Sequence, residues 1–160
     1  MPPREKIIRS LAQLHVLCNN LKESRKKIVL TSGCFDLVHG GHLEYVYQAS
    51  QYGFLVVGIN SDEFVKRLKG EGRPIRDEVD RAFVMAGFEP VGFVTIFNQD
   101  DDLIRAVEPD VYVASTTSHV KIFDDVERVH LLNWMGAQIV ELGAQSRTNS
   151  TTNIIEKIKS

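Results

Sequence analysis

Two hydrophobic periods alternate along this chain. From Arg4 to about Leu21, the apolar residues Ile7, Ile8, Leu11, Leu14 and Cys18 recur at spacings of three and four, which predicts one amphipathic helix closed by the basic run Lys22 to Lys27. Five short β-branched runs of strand length follow: Ile28 to Thr31, Phe54 to Ile59, Val91 to Phe97, Asp110 to Ala114 and Gln138 to Leu142. Helix-length stretches separate them at Gly41 to Tyr52, Asp62 to Leu68, Asp77 to Gly87, Asp101 to Val107 and Phe123 to Met135, and a last one runs from Thr151 to Ile158. A parallel crossover needs about a dozen residues and usually forms a helix. The alternation therefore predicts an α/β protein with a Rossmann-like, doubly wound, five-stranded parallel sheet in a three-layer α/β/α arrangement. Near-continuous apolar strands suit burial on both faces, and the crossovers should be right-handed. Gly70 to Arg76 and Ser115 to Ile122 keep no clear period and are read as flexible loops. Residues 1–160 are expected to form a single domain, with 1–26 a helical extension that covers its own sheet or a partner's.

Composition narrows the function classes more than it names one. At 160 residues, 43% hydrophobic and 25% charged, the chain can bury one sizeable core, and wholesale disorder, collagen-like repeats and disulfide scaffolds recede. The formal net charge of −2 provides no global basic field, so neither nucleic acid nor a membrane surface is an expected partner, and any anion site must be local. Two cysteines, Cys18 and Cys34, cannot make a disulfide framework, and no signal peptide or long apolar run is evident, so a soluble cytoplasmic protein is expected. In open α/β sheets ligands sit beyond the carboxyl ends of the strands, where strand order reverses.

The first strand leads into Thr31-Ser32-Gly33-Cys34-Phe35-Asp36-Leu37-Val38-His39-Gly40-Gly41-His42, and a helix begins there. Glycine lets a polyanion approach the backbone, and the helix that follows offers free amides and the positive end of its dipole. His39 and His42, three apart, would project from one helix face and could grip one phosphate. Alternatively one histidine caps the helix and the other packs on the sheet, or Asp36, His39 and His42 begin a zinc site that no further cluster completes. Neither the phosphate loop of NTPases nor the dinucleotide Gly-x-Gly-x-x-Gly turn is present. Ser150, Thr151 and Thr152 precede the last helix, where they would cap it or hold an anion. Lys66, Lys69 and Arg73 form a basic stretch around Gly70 and Gly72 that is either a solvated face or a phosphate contact. Asp100, Asp101 and Asp102 read as dipole-favoured residues before a helix rather than metal ligands, and Tyr112 and Trp134 read as core.

The stretch Gly33 to His42 resembles the His-x-Gly-His signature of the cytidylyltransferase-like nucleotidyltransferases. Asn60-Ser61-Asp62, Lys66 through Ile75, Asp80-Arg81-Ala82 and Ser150 through Ile155 are similar to one branch, the heptose-phosphate adenylyltransferases. The resemblance runs from about Lys27 to the last residue and fits a transferase half without the fused sugar kinase of some relatives. It implies transfer of AMP from ATP to a sugar phosphate, giving a nucleotide-sugar and pyrophosphate. It implies catalytic roles for His39, His42 and Lys69, and nucleotide contacts by Gly33, Cys34, Phe35, Asp36, Gly41, Ser150, Thr151 and Thr152. Cys34 would have no catalytic duty and a buried thiol. Phosphate or acceptor contacts fall to Lys66, Arg73, Arg81 and Lys121, with Arg81 alternatively in a salt bridge. Mg²⁺ would be held mainly by the nucleotide phosphates, with no protein metal site, and a homodimer is the family expectation.

The chain departs from that branch in two places. Where heptose-type members carry Val-Lys-Gly-Gly-Asp-Tyr, it reads Val113-Ala114-Ser115-Thr116-Thr117-Ser118-His119, with His119 or Lys121 available in compensation; Thr148 stands where relatives have a glycine. A CTP-dependent cytidylyltransferase for a polyol phosphate such as glycerol 3-phosphate is the alternative enzyme. A non-catalytic nucleotide-binding regulatory module and a flavodoxin-like electron carrier are the alternatives from other classes.

Overall fold

The computed structural model describes residues 1–143 and 150–160. Strands β1 (Ile28–Gly33), β2 (Phe54–Asn60), β3 (Val91–Phe97), β4 (Val111–Ser115) and β5 (Gln138–Leu142) form one sheet in the order β3-β2-β1-β4-β5, and every pairing is parallel. Ile28 lies opposite Phe54 and Gly33 opposite Ile59, while Val111 lies opposite Gln138 and Ser115 opposite Leu142. The chain winds outward from β1 to β3, then crosses back to β4, so the order reverses between β1 and β4. A crevice is expected at that switch point.

Helices α3 (Gly40–Ser50) and α5 (Glu78–Ala86) cover one face, and α2 (Leu11–Glu23), α6 (Asp100–Val107) and α7 (Val126–Trp134) the other. Alternate residues of each strand feed the two cores. Val29, Val57 and Val94 pack with Val46, Ala49 and Met85, whereas Leu30, Val56 and Phe93 pack with Leu14, Leu103 and Leu132. This explains the unbroken apolar strands: with helices on both faces, both sets of side chains are inside. Helix starts follow local chemistry, since Ser10, Ser61, Asp77 and Asp125 each accept a backbone amide in the first turn that follows. α4 (Asp62–Lys69) follows β2, and α8 (Thr151–Lys159) closes the chain.

The leading segment differs from the single helix expected from Arg4 to Leu21. A four-residue helix, α1 (Pro3–Lys6), ends at Ile7, which is extended and bridges Val94, and the Ile8 amide donates to the Val94 carbonyl at 2.8 Å. Ile7 joins one core and Ile8 the other, an arrangement available to neighbours on an edge strand and not on a helix. α1 then packs on α5, and α2 packs on α6 and β1, so the extension covers its own sheet. The helix expected over Phe123 to Met135 is also split. A single 3-10 turn (Ile122–Asp124) precedes Asp125, whose φ of −95° and ψ of 83° interrupt the helical path before α7. Tyr112 is core as expected; Trp134 is not, standing 79% exposed at the end of α7. No helix among the described residues is long and apolar enough to cross a membrane.

Candidate functional site

A pocket of about 550 Å³ opens beyond the carboxyl ends of β1 and β4, lined by the turns after β1, β4 and β5, by Asn60 at the end of β2 and by Asp100 at the start of α6. Tyr45 on α3 fixes its base: the hydroxyl donates to the Val113 carbonyl at 3.1 Å and hydrogen-bonds Thr31 Oγ1 at 2.7 Å, tying α3 to the two strands at the switch point.

Both signature histidines line the pocket, and both also cap α3. The Gly41 amide donates to His39 Nδ1 at 3.1 Å, and the His39 amide donates to His42 Nδ1 at 3.3 Å. The rings lie 4.0 Å apart between centroids, and Phe35 meets His42 edge-on at 5.5 Å. A neutral imidazole that accepts at Nδ1 carries its proton on Nε2, so each ring presents a fixed donor. Burial lowers both pKa values, and His42 is pushed down to about 4, with His39 and Lys69 adding to the effect. The pair is therefore neutral at pH 7. Capping and phosphate binding are compatible because they use different nitrogens.

The turn between β1 and α3 is shaped by Phe35, which has a φ of 47° and is buried. A non-glycine residue in that region is sterically costly and persists only where its surroundings hold it. Gly33 leaves room for it: a Cβ there would meet the Phe35 ring at 3.1 Å. Cys34, expected to be buried, is only partly so and lines the pocket, with its thiol pKa raised by burial against the opposing pull of Lys69. Asp36 is 1% exposed, and its carboxylate accepts from Arg73 Nε at 2.8 Å and from the amides of Ile75 and Arg76. Burial works to raise its pKa, but these donors outweigh it and hold the carboxyl below its ordinary range. Asp36 thus clamps the loop after α4 onto the site. With that carboxylate committed and both Nδ1 atoms taken by amides, the zinc triad of Asp36, His39 and His42 does not form.

The basic residues separate sharply. Lys69 and Arg73 line the pocket, while Lys66 is exposed outside it. Arg81 is fully buried: Nε donates to the Arg76 carbonyl, Nη1 to Cys34 O at 2.6 Å, and Nη2 to Asn60 O and Asp62 Oδ1 at 2.8 and 2.7 Å. It is the salt-bridge reading of this arginine that the geometry bears out; the guanidinium knits the turns after β1 and β2 together. Lys121 reaches back to the Thr116 carbonyl, whereas His119 lines the pocket together with Thr117, Ser118 and Val120 of the same loop.

On the far rim, Ser150 caps α8 by accepting from the Asn153 amide, and Thr151 Oγ1 donates to the Leu37 carbonyl at 3.2 Å. Ser150, Thr151 and Thr152 all line the pocket, so the N-terminus of α8 joins that of α3 around it. Thr148 lies outside the described residues. The altered loop after β4 is held by its own contacts, with Ser115 Oγ 2.9 Å from Thr117 Oγ1 and Ser118 Oγ donating to Val120 O.

One cluster escaped the sequence reading. Arg128 on α7 lines the pocket, and its Nη2 donates to Asp100 Oδ2 at 2.6 Å and lies 3.0 Å from Asp125 Oδ2. Asp100, read as a helix-dipole residue, does stand with Asp101 and Asp102 in the first turn of α6, and it is in addition an ion-pair partner that raises one wall of the site; burial lifts its pKa despite Arg128. Twenty-eight positions separate the pair, so no local spacing announces it. Among the described residues, no group of three or more His, Cys, Asp and Glu could hold a metal ion.

A switch-point pocket with neutral imidazole donors, two helix N-termini and a lysine offers the kinds of donor from which phosphate oxygens accept. The chain belongs to the cytidylyltransferase-like family, whose model matches residues 30–157. It is 45% identical over 161 residues to bifunctional protein HldE of Campylobacter jejuni subsp. jejuni serotype O:2, covering 97% of this chain and 32% of that protein. The HldE proteins of Nitratiruptor sp. and Helicobacter pylori are 36% and 40% identical over 164 and 149 residues, covering 99% and 91% of this chain and 33% and 30% of theirs. The chain thus spans about a third of the length of these relatives. In fold it is similar to a lipopolysaccharide core biosynthesis protein from Thermoplasma volcanium, with a TM-score of 0.66 and 22% identity over 76% of this chain and 99% of the other. It is also similar to pantoate-beta-alanine ligase from Francisella tularensis, complexed with beta-gamma ATP and beta-alanine, with a TM-score of 0.60 and 13% identity over 96% of this chain and 76% of the other.

Proposed function

We propose that this chain is a nucleotidyltransferase domain that moves AMP from ATP onto the phosphate of a phosphorylated sugar and releases pyrophosphate. The observation that carries this reading is the histidine pair: two neutral rings, each with Nδ1 fixed by a helix-end amide and Nε2–H left as a donor, lining a pocket of about 550 Å³. Family membership and the resemblance to the HldE proteins support the same activity.

In such a transfer an acceptor phosphate oxygen bonds to the α-phosphorus while the bond to the bridging oxygen of the β-phosphate breaks, and pyrophosphate leaves with the electron pair. The protein's work is to position oxygens and balance charge. His39 and His42 donate to triphosphate oxygens, Lys69 supplies the mobile positive charge, and the amides at the starts of α3 and α8 complete the cradle. Asp36 acts at one remove by holding Arg73 and its loop. The carboxylates lining the pocket, Asp36 and Asp100, are each committed to an arginine, so a Mg²⁺ ion would ride on the phosphates and water and neutralise their charge. Two unpaired thiols suit the reducing cytoplasm.

The test is pyrophosphate release with Mg²⁺, ATP or CTP, and a panel of sugar and polyol phosphates. Release with ATP and a sugar phosphate is the expected result. Release only with CTP and a polyol phosphate would replace this reading with the cytidylyltransferase one, and nucleotide binding without release under any combination would leave a binding module.

A further inference from the structure

The phosphate reading leaves one half of the pocket without a task. His39, His42 and Tyr45 enter from α3 on one face of the sheet, whereas Asp100 and Arg128 enter from α6 and α7, which pack on the other face together with Phe64 of α4. In this second half Arg128 sits between two carboxylates, at 2.6 Å from Asp100 and 3.0 Å from Asp125. Beside it Tyr112 Oη and Ser32 Oγ are 3.0 Å apart. Asp100 and Arg128 keep 17% and 15% of their side-chain surface exposed, and Ser32 and Tyr112 line the pocket with them. Arg128 Nε is shielded from water and, among the described residues, has no hydrogen-bond partner.

Charge decides what such a wall can receive. Two carboxylates around one guanidinium leave a net negative charge, so a phosphate is repelled here and drawn to the end holding Lys69 and the starts of α3 and α8. A neutral hydroxyl suits the wall, because it donates to a carboxylate oxygen while accepting from a guanidinium N–H. Phe64 and Leu68 supply an apolar flank for the carbon skeleton between hydroxyls. We infer that Asp100, Arg128, Tyr112 and Ser32 form the subsite for the hydroxyl groups of the phosphorylated acceptor, which makes the acceptor a polyhydroxy phosphate and the Asp100–Arg128 pair its specificity determinant. The inference rests on the transferase reading for the word acceptor, and on the pocket alone for the hydroxyl subsite.

Titration calorimetry on the whole chain tests it, with heptose 1-phosphate, hexose 1-phosphates, glycerol 3-phosphate and ethyl phosphate as probes and ATP as a separate arm. At least one polyhydroxy phosphate should bind tenfold or more tightly than ethyl phosphate. Arg128→Gln and Asp100→Asn should each erase that margin while changing ATP affinity less than twofold. Polyhydroxy and ethyl phosphates of equal affinity to the unaltered chain would overturn the inference without any variant. An ATP loss as large as the acceptor loss in correctly melting variants would also overturn it, by placing the cluster in the donor site. Arg128→Lys, which keeps the charge but not the fork, covers the case in which Arg128→Gln does not fold, and it too should lose the margin. Retained hydroxyl preference with no pyrophosphate release would sink the transferase reading and leave the hydroxyl subsite standing.

Discussion

His39 and His42 cap one helix from opposite directions: the Gly41 amide donates to His39 Nδ1, the His39 amide donates to His42 Nδ1, and the ring centroids are 4.0 Å apart. Each capping bond requires a bare Nδ1, so protonating either ring opposes both the cap and the burial. His42 is held near 4, below the roughly 6.5 of an unfolded histidine. Where the folded pKa is depressed, the stabilisation is complete above the unfolded value and is lost as pH falls towards the folded one. Stability without nucleotide should therefore decline from about pH 6.5 to about pH 4, and the His42 ring protons should titrate near 4 by NMR. A His42 midpoint near 6.5 would refute the arrangement.

The division of labour between the two ring nitrogens can be separated by substitution. Asparagine is a good N-cap, so His39→Asn should keep the cap of α3 and lose the Nε2 donor. It should change folding stability by less than about 0.5 kcal/mol yet cut turnover by roughly 10²-fold, a loss typical of one missing donor to developing charge. His42→Ala should cut turnover at least as much and cost about 1 kcal/mol through the lost capping bond. Steady-state pyrophosphate release and urea unfolding on the same samples give both readings.

Arg81 should behave as a structural residue. Its guanidinium joins the Cys34, Asn60 and Arg76 carbonyls to the Asp62 carboxylate with no exposed surface. Arg81→Met strips donors from three carbonyls and from the Asp62 carboxylate, but that carboxylate is itself 34% exposed and can be rehydrated, so the cost should be about 2–3 kcal/mol rather than that of a fully buried pair. Arg81→Lys should recover little, because one ammonium cannot span four acceptors. Urea midpoints check this; a fully stable Arg81→Met with weakened nucleotide binding would instead make Arg81 a phosphate ligand.

The sheet was legible because helices on both faces force each strand to be apolar at successive residues, as in Val29-Leu30 and Leu55-Val56. Its ends were less so. β1 runs on through Ser32 and Gly33 because backbone pairing with Gly58 and Ile59 asks nothing of side-chain polarity. Ile7 and Ile8 counted towards a helix face, although adjacent apolar residues are equally the mark of an edge strand between two cores. At the site, the histidines and the Ser150 to Thr152 run were readable because each acts within a few residues of a helix start. Arg81 was readable only as a choice between a salt bridge and a phosphate contact, and Arg128 not at all. Arginine is rarely buried, and the partners that bury these two lie 19 to 47 and 28 positions away, respectively, or on a neighbouring turn.

Lys69 offers the sharpest remaining test, because its role is electrostatic and its structural cost is small. It ends α4 just before Gly70, lines the pocket, and remains exposed, with no salt bridge to its ammonium among the described residues. Removing it forfeits only a helix-end charge, worth about 0.3–1 kcal/mol. A charge-assisted bond to a phosphate is worth about 1.5–3 kcal/mol, so Lys69→Ala should weaken apparent triphosphate affinity tenfold or more with little change in unfolding midpoint. A second readout is independent of activity. Lys69 is one of the cations that suppress His42 ionisation, so the His42 pKa should rise from about 4 in Lys69→Ala. Unchanged saturation kinetics together with an unmoved His42 titration would show that Lys69 does not face the site in solution.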